Sequence, residues 1–224
     1  MSDRTTLRRV PDRAVTERDA IDTVLDEGLM AHVGLVAGEG GGSHPVVIPM
    51  LYARDGDILY LHGSPASRLL RTAKKGVEVC VTVTLLDALV LARSGLHHSM
   101  NYRSVVVMGT ATEITDRDAK VAALDRLVDH TIPGRSAQIR PAHDIEITGT
   151  TVLILSLDEC SMKARTGGPV DDAEDLDEPS WAGLIPLGVA VGEPLPDEGS
   201  ADDPVPDHVA FWSRGPGQIN GRAG

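Results

Sequence analysis

Aromatic side chains are scarce in this chain of 224 residues: two Trp, three Tyr and one Phe make up 3% of it. A core cannot then rest on rings and must close with Val, Leu, Ile and Ala, whose short side chains suit packed strands. Cysteine is nearly absent too. Cys80 and Cys160 lie far apart, each in an apolar strand-like run, which excludes a disulfide framework and predicts two buried free thiols in a reducing cytoplasm. No apolar run approaches membrane-spanning length. The start, Met1 to Arg13, is polar and basic without an apolar h-region, so no secretory signal is expected there.

Positive charge is missing from one long stretch. Thr166 to Ser213 contains no Lys or Arg, yet holds 12 of the 33 acidic residues, leaving 21 against 21 basic residues elsewhere. The net charge of −12 therefore belongs to the C-terminal quarter, and the body is neutral. A nucleic-acid partner needs a basic surface, so none is expected.

What is present reads as alternating strands with a few helices. Thr16-Glu17-Arg18-Asp19 resembles a capping box, and Ala20, Ile21, Val24 and Leu25 follow at helical spacing up to Gly28. Strands are predicted over Met30 to Ala37, Pro45 to Ala53 and Asp57 to Leu61, joined by the Gly38 to Gly42 loop and the Asp55-Gly56 turn. Val77 to Thr84 is a fourth, with Leu89 to Ala92 extending it or pairing with it. Tyr102 to Ile114 is a fifth, a helix runs from Thr115-Asp116 to about His130, and Thr151 to Leu157 is the last clear strand. Without a regular βαβ alternation a parallel sheet is excluded, and about six such strands predict a small antiparallel barrel with flanking helices. The domain limits expected are an N-terminal extension over 1–13, the barrel over 14–165, an extension packing on it over 166–193, and a disordered acidic tail over 194–224. Trp181 to Leu187 is an ordered island between them.

One segment points to chemistry. His62-Gly63-Ser64-Pro65-Ala66-Ser67-Arg68 sits where a strand ends and a helix begins, with Leu69, Leu70 and Ala73 at helical spacing and Gly76 as the stop. Two hydroxyls and a guanidinium at a helix start suit a phosphate monoester, because free N–H donors and the dipole both favour negative charge. The alternative is a serine N-cap beside a solvated arginine.

Together, Val46-Val47-Ile48-Pro49, Leu59 to Ser64, Ser67-Arg68 and Asn101-Tyr102-Arg103-Ser104-Val105-Val106 resemble the pyridoxamine 5′-phosphate oxidase-like split barrels. Within them the chain is most similar to the flavin-nucleotide-binding branch related to nitroimidazole-resistance (Nim) reductases, over roughly Arg13 to Leu187. The resemblance implies a six-stranded split barrel that dimerises, with FMN at the subunit interface and a cytoplasmic oxidoreductase activity on a small organic molecule. Ser64, Ser67 and Arg68 match the phosphate-binding segment. Val47, Ile48 and Pro49 match the strand beside the flavin ring. Tyr102, Arg103 and Ser104 match the strand approaching the cofactor from the partner, and His62 matches a histidine near flavin and substrate. The acidic C-terminus lacks the classical oxidase's motif, which argues against vitamin B6 oxidation.

Other residues are open to two readings. Adjacent His97 and His98 point to opposite sides of a strand, a poor two-ligand metal site, so no metal centre is expected, and a place in the flavin pocket is the alternative. Lys163 and Arg165 either face an anionic cofactor or are solvated, and Trp181 either covers a flavin face or anchors the following chain. A rival to the enzyme is a non-catalytic flavin- or haem-holding protein whose acidic tail engages a partner. Related split barrels bind haem or a deazaflavin instead of FMN, and haem would take His62, His97 or His98 as axial ligand.

Overall fold

The computed structural model describes residues 3–38, 42–200 and 202–213, so the glycine loop read over 38–42 lies partly outside the described residues. A short 3-10 turn and strand β1 (Ala14–Val15) lead into helix α1 (Arg18–Glu27). Strands β2 (Met30–Ala37), β3 (His44–Asp55) and β4 (Ile58–Gly63) precede helix α2 (Arg68–Ala73). Then come β5 (Glu78–Leu91), β6 (Ser99–Thr110), β7 (Thr112–Glu113), α3 (Arg117–Thr131) and α4 (Asp144–Thr148). Strands β8 (Thr151–Ser156), β9 (Cys160–Arg165) and β10 (Gly183–Pro186) follow, and α5 (Asp207–Ala210) is a single turn.

All ten strands belong to one antiparallel sheet in the order β1-β9-β6-β5-β2-β3-β4-β8-β7, with β10 added on β5. Two devices fold it into a split barrel. Strand β3 changes partner midway, pairing with β2 from His44 to Leu51 and with β4 from Tyr52 to Asp55. Strand β6 passes through buried Ala111 into β7, which pairs with β8 at the far end of the sheet. The six strands read from the sequence are all present, and Leu89 to Leu91 extends β5 across a bulge between Leu86 and Ala88.

The core follows from strand alternation. Ala31, Val33, Leu35, Val79, Val81, Val83, Val105 and Val107 face inward against Val24 and Leu25 of α1 and Leu69 and Leu70 of α2. Each fully buried Val or Leu contributes about 1.5–3 kcal/mol. Tyr52 is a fully buried ring, and its hydroxyl donates to the Leu25 carbonyl at 2.6 Å. Gly28 closes α1 as expected, its N–H donating to Val24 O at 3.0 Å. Its φ of −68° is open to any residue, so the glycine is there for space. A Cβ at Gly28 would collide with Val83 Cγ1 and lie 2.7 Å from the Tyr52 hydroxyl.

Several expectations need correction. The capping box is absent: α1 starts one residue later than it requires, Glu17 is the N-cap, and the Thr16 N–H donates to Glu17 Oε2. Cys80 is exposed and Cys160 half-buried, because Val79 and Val81 take the inward positions of β5. Both thiols are free. The last barrel strand is β9 rather than β8; its Cys-Ser-Met-Lys-Ala-Arg lacks clean alternation, with only Met162 and Arg165 buried. Past Pro194, composition predicts no structure, yet α5 forms and the Trp212 indole N–H donates to the Thr131 carbonyl at 2.7 Å. Residues 214–224 lie outside the described residues.

Candidate functional site

The change of partner along β3 creates the site. Its ladder with β4 stops at Tyr52↔Leu61, although β4 continues to Gly63, so the two strands part and a crevice opens between them. On one wall stands β3 from His44 to Leu51, paired with β2 on one side and with no strand on the other among the described residues. Proline fits a ladder only where its nitrogen faces an open edge. Pro45 and Pro49 occupy such positions opposite Val36 and His32, and Val47 between them shares their orientation with an N–H to offer. Val47 is 64% exposed and Ile48 37%.

The turn from β4 into α2 follows on the β4 side of this parting. Ser64 Oγ accepts from the Ala66 N–H at 3.2 Å, and Ser67 is the N-cap of α2, accepting from the Leu70 N–H at 3.5 Å. A bond that long leaves the Ser67 hydroxyl easy to redirect. Arg68 is exposed, and no hydrogen bond or ion pair holds its guanidinium among the described residues. His62 stands at the root of the crevice, beside the last β3–β4 pair and opposite Val152 of β8. Its Nδ1 is enclosed without a partner among the described residues, and burial lowers its pKa, so the neutral imidazole is favoured. The structure thus puts Val47, Ile48 and Pro49 on the open edge of β3, and His62, Ser64, Ser67 and Arg68 on the segment that carries β4 beyond its last pair with β3. These groups fit a flavin phosphate and ring edge: free donors, an open backbone edge and a polar atom awaiting a partner.

Tyr102, Arg103 and Ser104 are elsewhere. Strand β6 is separated from β3 by β5 and β2, so one chain does not carry these residues to its own crevice. Tyr102 and Ser104 lie on the outward face of the sheet, and Ser104 Oγ meets Thr84 Oγ1 at 2.9 Å. Alternation turns Arg103 the other way, onto the face of core residue Val105. There it makes a two-pronged bond to Asp87 (3.1 and 3.0 Å) and an ion pair with Glu27 (2.8 Å). The hydrogen bond to Asp87, with Glu27, raises its pKa. Arg103 therefore ties the end of α1 to the β5 bulge and is not brought to the other site residues.

The remaining candidates resolve similarly. Arg165 is buried, its guanidinium spent on Asn101 Oδ1 and the Gly167 and Gly168 carbonyls, and Lys163 donates to the Arg9 carbonyl at 3.1 Å. The Arg165 guanidinium is thus neither solvated nor free for an anion, whereas the half-buried Lys163 ammonium has one of its three donors engaged. His97 Nε2 meets Asp172 at 3.0 Å, a bond that raises the His97 pKa, while His98 Nδ1 meets the Ser94 carbonyl at 2.9 Å. His97, Asp172 and Asp175 bring one ligand atom each to within 4.8 Å of one another. The Glu27–Arg103–Asp87 cluster and the pairing of β10 with β5 escaped sequence reading; the Asp87 bulge has no signal in its apolar run.

Comparison with known proteins agrees with this fold. Residues 17–164 match the family model described as pyridoxamine 5′-phosphate oxidase. The flavocytochrome Anf3 from Azotobacter vinelandii is 40% identical, with a TM-score of 0.87 over 96% of this chain and 98% of its own. The FAD and heme binding protein from Mycobacterium smegmatis is 38% identical, with a TM-score of 0.82 over 88% and 95%. A putative 5-nitroimidazole antibiotic resistance protein from Bacteroides thetaiotaomicron VPI-5482 shares the fold at 23% identity, TM-score 0.57, over 67% and 85%. Comparison with curated proteins gives no match. With a match over well more than half its length, and two near full-length relatives, the chain belongs to the pyridoxamine 5′-phosphate oxidase-like family of flavin-binding split barrels.

Proposed function

We propose that this protein is an oxidoreductase that binds a flavin nucleotide in the crevice between β3 and α2 and passes electrons from it to a haem carried by the same assembly. The observation behind this reading is the open β3 edge together with an Arg68 guanidinium that nothing engages among the described residues, in a chain about 40% identical to a flavocytochrome. A second relative at 38% identity is named for FAD and heme. Ser64, Ser67 and Arg68 would hold the flavin phosphate. Val47, Ile48 and Pro49 would meet the ring edge with backbone groups. When bound, the flavin supplies hydride acceptance and single-electron release. FMN, expected from the sequence resemblance, and FAD share the riboflavin phosphate that these residues address, so FMN is the minimal ligand of the site.

Tyr102 and Ser104 would serve the flavin of a second copy, making a homodimer. Support comes from their distance, three strands from their own crevice, and from the bare outward face of the sheet, where Met30, Val36, Val47 and Leu86 are 52%, 56%, 64% and 42% exposed. The second reading is direct reduction of a small organic acceptor at the flavin, as in the Nim-related branch. It is favoured by His62, whose enclosed Nδ1 lies at the root of the crevice, on the side we assign to substrate. We place the protein in the cytoplasm, where its free thiols stay reduced. Among the described residues no helix is long and apolar enough to cross a membrane.

The test is the absorbance spectrum of the purified protein, followed by chromatography of its heat-released flavin. Flavin bands with a Soret band support the reading, and flavin bands alone support the acceptor reductase. A protein that takes up neither FMN nor FAD on reconstitution refutes both.

A further inference from the structure

Away from the crevice, a cluster of titratable groups joins two segments far apart in sequence. His97 ends the 3-10 turn Gly95–His97 ahead of β6, and the segment after β9 brings acidic residues back to it. Asp171 anchors that segment. Its carboxylate is buried, 2% exposed, and accepts from the Arg93 backbone N–H and guanidinium at 2.8 Å each. Asp172 then caps the 3-10 turn Ala173–Asp175, and the Asp175 N–H donates to the Asp172 carbonyl at 3.0 Å. Three residues apart across such a turn, the two carboxylates come together. One ligand atom from each of His97, Asp172 and Asp175 lies within 4.8 Å of the others, and His97 Nε2 stands 3.0 Å from Asp172 Oδ2.

The charges in this cluster do not balance. An ionised carboxylate only accepts, so each needs a donor or a cation. Arg93 answers Asp171, and the imidazole answers Asp172. The half-buried Asp175 carboxylate has no hydrogen bond or ion pair among the described residues. Its own segment supplies no cation, since Thr166 to Ser213 contains no Lys or Arg. The hydrogen bond to Asp172, with the charges of Asp171 and Asp175 behind it, raises the His97 pKa, so the place favours positive charge.

We propose that His97, Asp172 and Asp175 bind a divalent first-row transition ion of the Zn²⁺ type, through one imidazole nitrogen and two carboxylate oxygens. The donor set selects the class of ion. All-oxygen sites suit Ca²⁺ and Mg²⁺ and thiolates suit softer ions, whereas an imidazole turns the preference to Zn²⁺ and its neighbours. Bonds of about 2.1 Å put the donors of a tetrahedral zinc roughly 3.4 Å apart. The His97–Asp172 contact is already near that spacing, and the exposed Asp172 side chain can turn to close the remainder. Three protein donors leave one position for water. The ion would clasp the segment leading to β10 against the start of β6. Adjacent His97 and His98 make no metal site between themselves, because neighbouring side chains diverge. The donors that join His97 begin 75 residues on, where no local spacing shows them. The site needs no flavin and stands apart from the function proposed above.

The experiment is titration of the chelator-treated full chain with Zn²⁺ in competition with a chromogenic chelator. One equivalent is expected to bind and to raise the melting temperature. His97→Ala and Asp175→Asn should each weaken Zn²⁺ by roughly tenfold or more, since losing even an outer-sphere partner costs that much. Both should lose the thermal shift, while His44→Ala and Cys80→Ser keep it. Asp175→Asn changes almost no volume and breaks no printed side-chain bond, so it carries the test if His97→Ala folds poorly. Co²⁺ in place of Zn²⁺ should show d–d bands without a thiolate charge-transfer band. Equal Zn²⁺ affinity in wild type and both variants, binding lost in Cys80→Ser, or Mg²⁺ held as tightly as Zn²⁺ would overturn the site. Absence of saturable binding would do the same. A His97→Ala protein that keeps Zn²⁺ but no longer takes up hemin would assign this imidazole to haem and overturn the site as well.

Discussion

Arg68 offers the sharpest separation of folding from binding. Its guanidinium is exposed, with no hydrogen bond or ion pair among the described residues, so Arg68→Ala removes nothing the fold uses. A surface substitution of that kind changes stability by no more than about 0.5 kcal/mol. Binding is different. A charged hydrogen bond to a phosphate is worth about 1.5–3 kcal/mol, which corresponds to roughly 10- to 150-fold in affinity. Arg68→Ala should therefore keep its melting temperature yet bind FMN one to two decades more weakly, while riboflavin, which has no phosphate, binds both proteins alike. Titration of flavin fluorescence measures all four affinities. Equal FMN affinity in wild type and variant would refute the phosphate assignment, whatever the cofactor of the intact protein.

Gly28→Ala should unfold more easily, by about 1–3 kcal/mol for overpacking against Val83 and the Tyr52 hydroxyl, or roughly 2–12 °C in melting temperature. Burial lowers the folded pKa of His62 below the ordinary 6.5. Its contribution is then complete above that value and lost as pH falls through the lowered folded value, so His62→Gln should flatten the acid-side decline in urea midpoint. Truncation after Gly192 removes the Trp212 bond to Thr131 and should cost about 0.5–1.5 kcal/mol with flavin content unchanged. A large loss of flavin would show that the tail builds the site. Dilution should release flavin together with dimer dissociation, and a monomer that holds flavin at full occupancy rules out the shared site.

Much of this was legible in the sequence wherever alternation was clean. Strands β2 and β5, with Val and Leu inward at every second residue, were readable, as were the Ser67 cap and the start of α3 at Asp116, whose carboxylate accepts from the Ala119 N–H. The site was legible where one local segment carries it, from His62 to Arg68. It was not legible where a role depends on which face a residue takes. Arg103 sits in the same short block as Tyr102 and Ser104, yet alternation sends it to Glu27 and Asp87, a partnership across 76 and 16 residues that no local pattern encodes. Strand β9 was missed for a related reason. Its last position, Arg165, is buried as a guanidinium bonded to Asn101 and two carbonyls, which hydropathy reads as surface. Trp212 illustrates the limit of composition, since one indole bond orders a segment that charge and proline content describe as structureless.

The prolines of β3 also bear on the life of the protein before any cofactor arrives. An uncovered strand edge is a template on which another polypeptide can add a strand, the first step of fibre growth. Between Pro45 and Pro49 the open edge has one amide to donate, that of Val47, so an arriving strand cannot complete its ladder. Carbonyls remain, enough for a compact heterocycle that needs only a few contacts. The edge thus discriminates by size: it turns away a second chain and still admits a small planar ligand. A newly synthesised molecule can wait for its flavin without polymerising.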